Sequence, residues 1–372
     1  MKNEYKTMIY PFDVESVPLI RHSNLMNNYK IVNIISPNGW GLCGKDAGDS
    51  DNGQPVGIII DSDFNKALEN CDTVFFTNSS MKMNLDKFVY PKIIKAAQSS
   101  KNIICTIKLE NEMIDKISNI CNKNNIFFKY FTDESDSIIS PKTEKIYPIN
   151  TPIILVFGLC ERTNKFEIQL NLRENLEKMG YKVSQIGTRQ YCELMEFHSF
   201  PKFMNSKSIT ESEKVILFNH YIKNIENKEV PDVIVIGVPG GIMPINHEFT
   251  NRFGILAYEV SQAVMPDVVV LSTLYSSSSP EILKLLSKSC KYKFGYDIDC
   301  YNISNTSLNI GASKYEESLQ YNVMNLDVIN EKKKMYQKLD RPAYNILDKN
   351  DAQNMTNFLV NKLAEYEEGR II

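Results

Sequence analysis

No stretch of this 372-residue chain strings together the roughly 18 apolar residues that a membrane-crossing helix needs, so no membrane partner is expected. The first 20 residues carry Asp13, Glu15 and two prolines and lack the apolar core of a secretory signal, which places the protein in the cytoplasm as an expectation. The eight cysteines include no C-x-x-C pair, which disfavours a zinc ribbon and a thioredoxin-type site and leaves reduced, buried thiols as the expectation. An excess of positive charge is missing too: 42 Lys and Arg stand against 45 Asp and Glu, for a net charge of −3. A nucleic-acid surface is therefore not expected, and the cluster Lys332 to Lys334 reads as a solvated helix face. No repeat of fixed period is visible.

What is present is an ordinary globular composition, 43% hydrophobic and 23% charged, long enough for two domains with their own cores. The most informative stretch runs from Pro152 to Gln190. Ile153 to Phe157 predicts a buried strand, Gly158 to Asn164 a loop, and Lys165 to Met179 an amphipathic helix with Phe166, Leu170 and Leu176 among its apolar positions. Gly180 stops the helix, and a second strand follows at 182–186. Strand, glycine-started loop, lysine at the helix start, helix and strand is the layout of a phosphate-binding βαβ unit. The loop departs from the strict P-loop rule, which puts Gly before the Lys and Ser or Thr after it to hold Mg²⁺. Here Asn164 precedes Lys165 and Phe166 follows it. Asn tolerates a left-handed backbone, so the loop shape can survive; Phe cannot ligate a metal, and no metal site is expected.

Upstream, Lys30 to Ser36, Thr73 to Thr77, residues 102–107 and 126–130 read as strands separated by helical patterns at 63–70, 85–99 and 110–122. Asp61 or Ser62 is the expected cap of the first of these helices. Such alternation implies α/β architecture with parallel sheets covered on both faces. The loop 38–53 contains Gly39, Gly41 and Gly44 in a loose G-x-G-x-x-G register but runs into helix-breaking residues, so a long surface loop is the better reading. Its alternative use is to hold a divalent ion through Asp46, Asp49 and Asp51. Residues 132–150 are polar with two prolines and give the best linker, with the boundary near 150. The division is 1–140, a linker at 141–151, and 152–372.

In the second domain, Gly187 to Phe203 follows a predicted strand and carries Arg189, Glu193 and His198 where ligands sit in open α/β sheets. Arg189 suits phosphate or carboxylate, while Glu193 and His198 suit acid/base work if they converge. His198 between Phe197 and Phe200 reads equally as a packed aromatic neighbour. Helical patterns follow at 211–227, 249–264, from Pro280 and around 315–323. Val233 to Gly237 predicts the clearest strand, followed by a turn with Gly240 and Gly241, where backbone can approach a ligand closely. A working P-loop NTPase has an acid at this strand end; here Gly237 and Val238 stand there. The terminal stretch 350–368 predicts an amphipathic helix with Met355, Phe358, Leu359 and Leu363 on one side, for docking on its own domain or for a homodimer contact.

GLCERTNKF at 158–166 is similar in spacing to the longer P-loop of dethiobiotin-synthetase-like NTPases. GTRQYCEL at 187–194, with VIGVPGGIMP and MPDVVVLST, looks like a poorly characterised two-domain family with a Rossmann-like N-terminal domain ahead of that P-loop domain. The stretch FGLCERTNKFEIQLNLRENLEKMGYKVSQIGTRQYCELMEFHSFP, combined with IGVPGGIMPINHEFTNRFGILAYEVSQA, resembles the peptide maturation system protein family. Its members accompany gene clusters for ribosomally made, bacteriocin-like peptides that encode a radical SAM enzyme. The resemblance implies a Rossmann-like domain plus a P-loop NTPase-like domain, with a precursor peptide and a radical SAM maturase as partners.

Three functions follow as expectations. One is an accessory protein that holds ATP, GTP or another phosphate ligand with Gly158, Arg162, Thr163, Asn164 and Lys165, flanked by Gly240 and Gly241, with weak or no hydrolysis. Another is an ATP-dependent ligase or kinase acting on a peptide or carboxylate, with Arg189, Glu193 or His198 replacing the lost groups. The last is a scaffold for precursor peptide and maturase that uses no nucleotide.

Overall fold

The computed structural model describes residues 4–131, 140–275, 279–336 and 339–369. They divide into two compact α/β units, Met1–Asp133 with Glu193–Glu196, and Glu134–Cys192 with Phe197–Ile372.

The first unit is a five-stranded parallel sheet in the order β2-β1-β3-β4-β5. Its strands are β1 (Tyr5–Tyr10), β2 (Tyr29–Ile34), β3 (Thr73–Phe76), β4 (Asn102–Cys105) and β5 (Phe128–Tyr130), and its helices are α1 (Val17–Arg21), α2 (Phe64–Glu69), α3 (Tyr90–Gln98) and α4 (Asn111–Lys123). The chain order reverses between β1 and β3, the point at which sheets of this 2-1-3-4-5 order hold ligands. β1 escaped the sequence reading. Only Met8, Ile9 and Tyr10 form an apolar run there, and the half-exposed end at Tyr5 hides the pattern. Met8, Tyr10, Val74, Phe76 and Ile103 pack under α2, α3 and α4, while Ile9, Phe75 and Ile104 are fully buried on the opposite side of the pleat. The cap of α2 is Asp63, which accepts from the Asn65 and Lys66 amides; Asp61 instead accepts from the amides of Ser62 and Asp63.

The second unit is a seven-stranded parallel sheet ordered β14-β11-β10-β6-β9-β7-β8. It comprises β6 (Ile153–Gly158), α5 (Lys165–Lys178), β7 (Val183–Gly187), β8 (His198–Ser199), α6 (Glu211–Glu229), β9 (Val233–Gly237), α7 (Ile255–Ala263), β10 (Val268–Thr273), α8 (Pro280–Phe294), β11 (Cys300–Ile303), α10 (Leu326–Tyr336), β14 (Ala343–Tyr344) and α11 (Lys349–Gly369). Between β11 and α10 sit a hairpin of β12 (Thr306–Leu308) and β13 (Tyr321–Val323), with α9 (Ile310–Tyr315) in its connection. The single helix expected around 315–323 is thus a short helix that ends at Tyr315, followed by a strand.

β6 is central. Along it Ile153, Leu155 and Phe157 face a core with α6, α7 and α8, while Ile154 and Val156 face one with α5 and α11. α5 is not the surface helix its pattern suggested, since most of its first eight residues are buried, including Lys165, Glu167 and Gln169. The reason is α11. Met355 and Leu359 of α11 are fully buried against Ile168 and Leu172, and the Asn175 amide donates to Thr356 Oγ1 at 3.3 Å. The apolar stripe that would have served a dimer contact is used within its own unit.

The expected linker 141–151 lies partly against α6. Tyr147 exchanges two hydrogen bonds with the Asn219 amide, and the Asn150 and Thr151 amides donate to Glu226 Oε1 at 2.6 and 2.7 Å. The basic cluster also differs from its expectation. Lys332 is buried with its ammonium 5.1 Å from the Tyr275 ring centre, and Lys333 pairs with Asp351, so only Lys334 resembles a solvated face. Among the described residues, no helix is long and apolar enough to cross a membrane.

Candidate functional site

Six fully buried residues of β6 run up to Gly158, where the chain turns. The turn is held from below: the Leu159 amide donates to Ser272 O, and Ser272 Oγ donates to Thr163 O. Asn302 continues the chain, giving an amide hydrogen to Ser272 Oγ at 2.8 Å and accepting from the Ile346 amide at 2.9 Å. The ends of β10 and β11 thus fix the loop through buried hydrogen bonds with no charged member.

Within the turn, Arg162 (φ 57°) and Asn164 (φ 59°) are left-handed. Asn164 is the N-cap of α5 in that conformation, and its side chain caps nothing. Left-handed residues alternating with helical ones form a concave nest of backbone N–H groups, and the positive end of α5 adds to it. The residue in the place of the second P-loop glycine therefore adopts the backbone that the sequence reading allowed it.

Lys165 closes the turn. Its ammonium donates to Cys160 O at 2.8 Å and to Gly240 O at 2.6 Å, and it is only 7% exposed. Burial pulls its pKa down from 10.5 to about 8, against the pull of Cys160 and Glu161, and the Arg189 charge pushes the same way as burial. No carboxylate lies within ion-pair distance of it among the described residues. Gly158 is required beneath it, because a Cβ there would lie 2.5 Å from Thr163 Oγ1 and 2.7 Å from Lys165 Nζ. Gly241 is required for a similar reason: a Cβ would lie 1.9 Å from Asn251 Nδ2, which bridges Leu159 O and Met243 O. All seven residues expected to hold a phosphate thus gather at one turn or immediately against it.

The catalytic half of the motif is structurally replaced. Phe166 turns away into a cluster with Tyr191 and Phe197, at ring distances of 5.8 and 6.4 Å, and the Arg189 guanidinium lies 5.8 Å from its ring. At Gly237, where an acid would sit, a Cβ would lie 2.2 Å from Gln169 Cδ. Gln169 is fully buried, donates to Ile186 O at 2.8 Å and accepts from the Thr188 amide. A neutral amide fills the volume that an acid at 237 would need.

Each catalytic candidate has its own surroundings. Arg189 lies at the aromatic cluster, Glu193 is exposed on a 3-10 turn (Cys192–Met195), and His198 Nε2 meets Glu229 Oε1 at 2.5 Å. Burial works against ionised Glu229, yet hydrogen bonds from Ser184 and His198 hold its carboxyl below the ordinary range. The divalent-ion reading of the loop 38–53 is corrected. Asp46 accepts from the amides of Gly48, Val56 and Gly57, Asp51 pairs with Arg21, and Asp49 is exposed. Among the described residues no group of three or more metal-type side chains is gathered anywhere.

The sequence reading missed Gln169, Asn251 and Tyr321. Tyr321 places its ring 5.3 Å from the Arg162 guanidinium and its hydroxyl beside the Cys160 thiol, and burial pushes that thiol up to about 11. Gln169 left a trace, being four residues after Lys165 and so on the same helix face. Asn251 opens four consecutive left-handed residues, with Arg252 (φ 52°), Phe253 (φ 56°) and Gly254 (φ 68°). Nothing in the sequence marks that turn.

Two parallel α/β units, the second with a P-loop-like turn at its central strand, define the class. No protein-family model and no curated protein matches the chain. Among solved structures, a DUF1611 family protein from Anabaena variabilis is similar over 96% of this chain and 100% of its own, with a TM-score of 0.63 and 12% identity. That likeness extends to the whole fold. Homoserine dehydrogenase from S. aureus (TM-score 0.28, 12% identity, 60% of this chain and 54% of that one) and amine dehydrogenase from Mycobacterium smegmatis (0.26, 11%, 60% and 57%) are similar only at a level that carries no structural argument.

Proposed function

We propose that the protein binds a nucleotide or another phosphate ligand at the turn after β6, hydrolyses it weakly or not at all, and serves as an accessory protein in maturing a ribosomally made peptide. The observation that carries the binding step is Lys165, a buried ammonium with a depressed pKa whose hydrogen-bond partners are both neutral carbonyls. A buried cation without a counter-charge is costly, and an anion seated in the nest would lower that cost. ATP and GTP are the natural candidates. Mg²⁺ gains no ligand from Phe166 or Gly237, which supports binding without efficient turnover. The peptide-maturation role rests on the sequence resemblance, with precursor peptide and radical SAM maturase as partners.

Equilibrium titration of the purified chain with ATP and GTP tests the binding step. Lys165→Ala is expected to weaken affinity at least about tenfold, the loss of one charge-assisted contact. Equal affinity in both proteins would sink the reading. For the role, co-purification with precursor peptide is the expected result, and absence of any peptide or maturase association counts against it.

A further inference from the structure

A second place in the molecule has the marks of an anion site, and it lies wholly within the first unit. A solvent-open cleft of about 550 Å³ is lined by Asn38, Ser62, Asp63, Asn65, Lys92 and Lys95, with Phe64 and Pro91. Phe64, one of its lining residues, meets the buried Tyr10 ring at the C-terminal end of β1 at 5.2 Å. The cleft therefore stands beside the crossover point of the 2-1-3-4-5 sheet, where open α/β sheets receive ligands. Its volume falls within the range of small-molecule sites.

The charges there are unbalanced. Lys92 Nζ donates to Phe88 O at 3.2 Å and lies 5.1 Å from the Tyr10 ring centre and 5.7 Å from that of Phe64. Lys95 Nζ donates to Asn65 Oδ1 at 2.6 Å. Neither makes an ion pair among the described residues, and the nearby carboxylate, Asp63, is occupied in capping α2. Burial and the neighbouring Lys95 charge both lower the pKa of Lys92. Two like charges held on one helix face repel, and a single dianion between them removes that repulsion. The Ser62 hydroxyl and the Asn38 amide are neutral donors among the lining residues.

We propose that this cleft binds the phosphate group of a small phosphorylated molecule, with Lys92 and Lys95 neutralising the dianion and Ser62 and Asn38 donating hydrogen bonds. The site is separate from the turn after β6 and does not depend on that reading.

The test is residue-resolved acetylation of the full chain, read by mass spectrometry, with inorganic phosphate against chloride at matched ionic strength. Phosphate is expected to slow labelling of Lys92 and Lys95 several-fold, to leave exposed Lys123 unchanged, and to act identically in a Lys165→Ala background. The single variant Lys92→Gln is expected to keep its thermal stability and to lose the phosphate-dependent protection of Lys95, which remains as the labelled amine at this cleft. Equal labelling in phosphate and chloride, or protection that vanishes in Lys165→Ala, would overturn the proposal.

Discussion

Each unit places a turn after an inner parallel strand, and the two turns solve opposite electrostatic problems. After β1, the buried Asp13 carboxylate accepts from the Glu15 amide at 2.9 Å, the Ser80 amide at 2.5 Å and Ser80 Oγ at 2.7 Å. The first turn thus supplies its own carboxylate, to its own Glu15 amide and to the amide and hydroxyl of Ser80 in the loop after β3, and Ser16 hydrogen-bonds Thr77 of that same loop. After β6, the turn holds an ammonium instead, and Lys165 donates to two neutral carbonyls, Cys160 O and Gly240 O. A loop that carries its internal anion is finished as a structural joint. One that buries a cation against carbonyls keeps an unmet demand for negative charge, and this difference separates architecture from a binding site more sharply than glycine content does.

The largest effect that sharpens the contrast is expected from Gly237→Asp, which would test whether the lost acid can be restored. Its Cβ would overlap Gln169, so a loss above about 4 kcal/mol is expected in urea unfolding. Partial recovery is expected when Gln169→Ala is added. Phe166→Thr removes a ring from the Tyr191 and Phe197 cluster and is expected to cost about 3–4 kcal/mol. It should still give no Mg²⁺-dependent phosphate release, because the position at 237 stays empty of acid.

The pH dependence of stability follows from Lys165. An unfolded lysine keeps its proton to about 10.5, whereas the folded one releases it near 8. Between those values the unfolded chain binds more protons, so stability rises with pH across that window and the cost is fully present below it. Comparing wild type with Lys165→Met by chemical unfolding should show a relative gain for wild type of up to about 3 kcal/mol between pH 8 and 10.5. Bound nucleotide should flatten that difference. Asp13→Ala tests the other turn: three donors lose their acceptor, for a cost of about 2 kcal/mol, with nucleotide affinity unchanged. The smallest effect is expected from Arg252→Gly. It removes a left-handed non-glycine residue and should stabilise the chain by about 1 kcal/mol in thermal unfolding.

The α/β architecture was legible because buried parallel strands such as Val233–Gly237 read as unbroken apolar runs between helical periods. β1 was not, since Tyr5 and Lys6 at its start are exposed and polar Thr7 shortens its apolar run to Met8, Ile9 and Tyr10. The turn after β6 was legible as a constellation: Gly158, Asn164 and Lys165 declare themselves by type and spacing. What filled the missing acid's place was not, because Gln169 is an unremarkable helix residue until β9 is set beside it. The left-handed turn at 251–254 is dictated by tertiary contacts to Leu159, Met243 and Ile242, which no local propensity encodes. The burial of α5 likewise depended on α11, almost 200 residues further along.

The most direct test is the titration of the Lys165 ammonium itself, followed by NMR on selectively labelled lysine with and without ATP. The expected result is a midpoint near 8 in the free protein that moves upward when nucleotide is bound. A midpoint at the ordinary lysine value, unmoved by saturating nucleotide, would contradict the claim that this turn is an anion site awaiting its ligand.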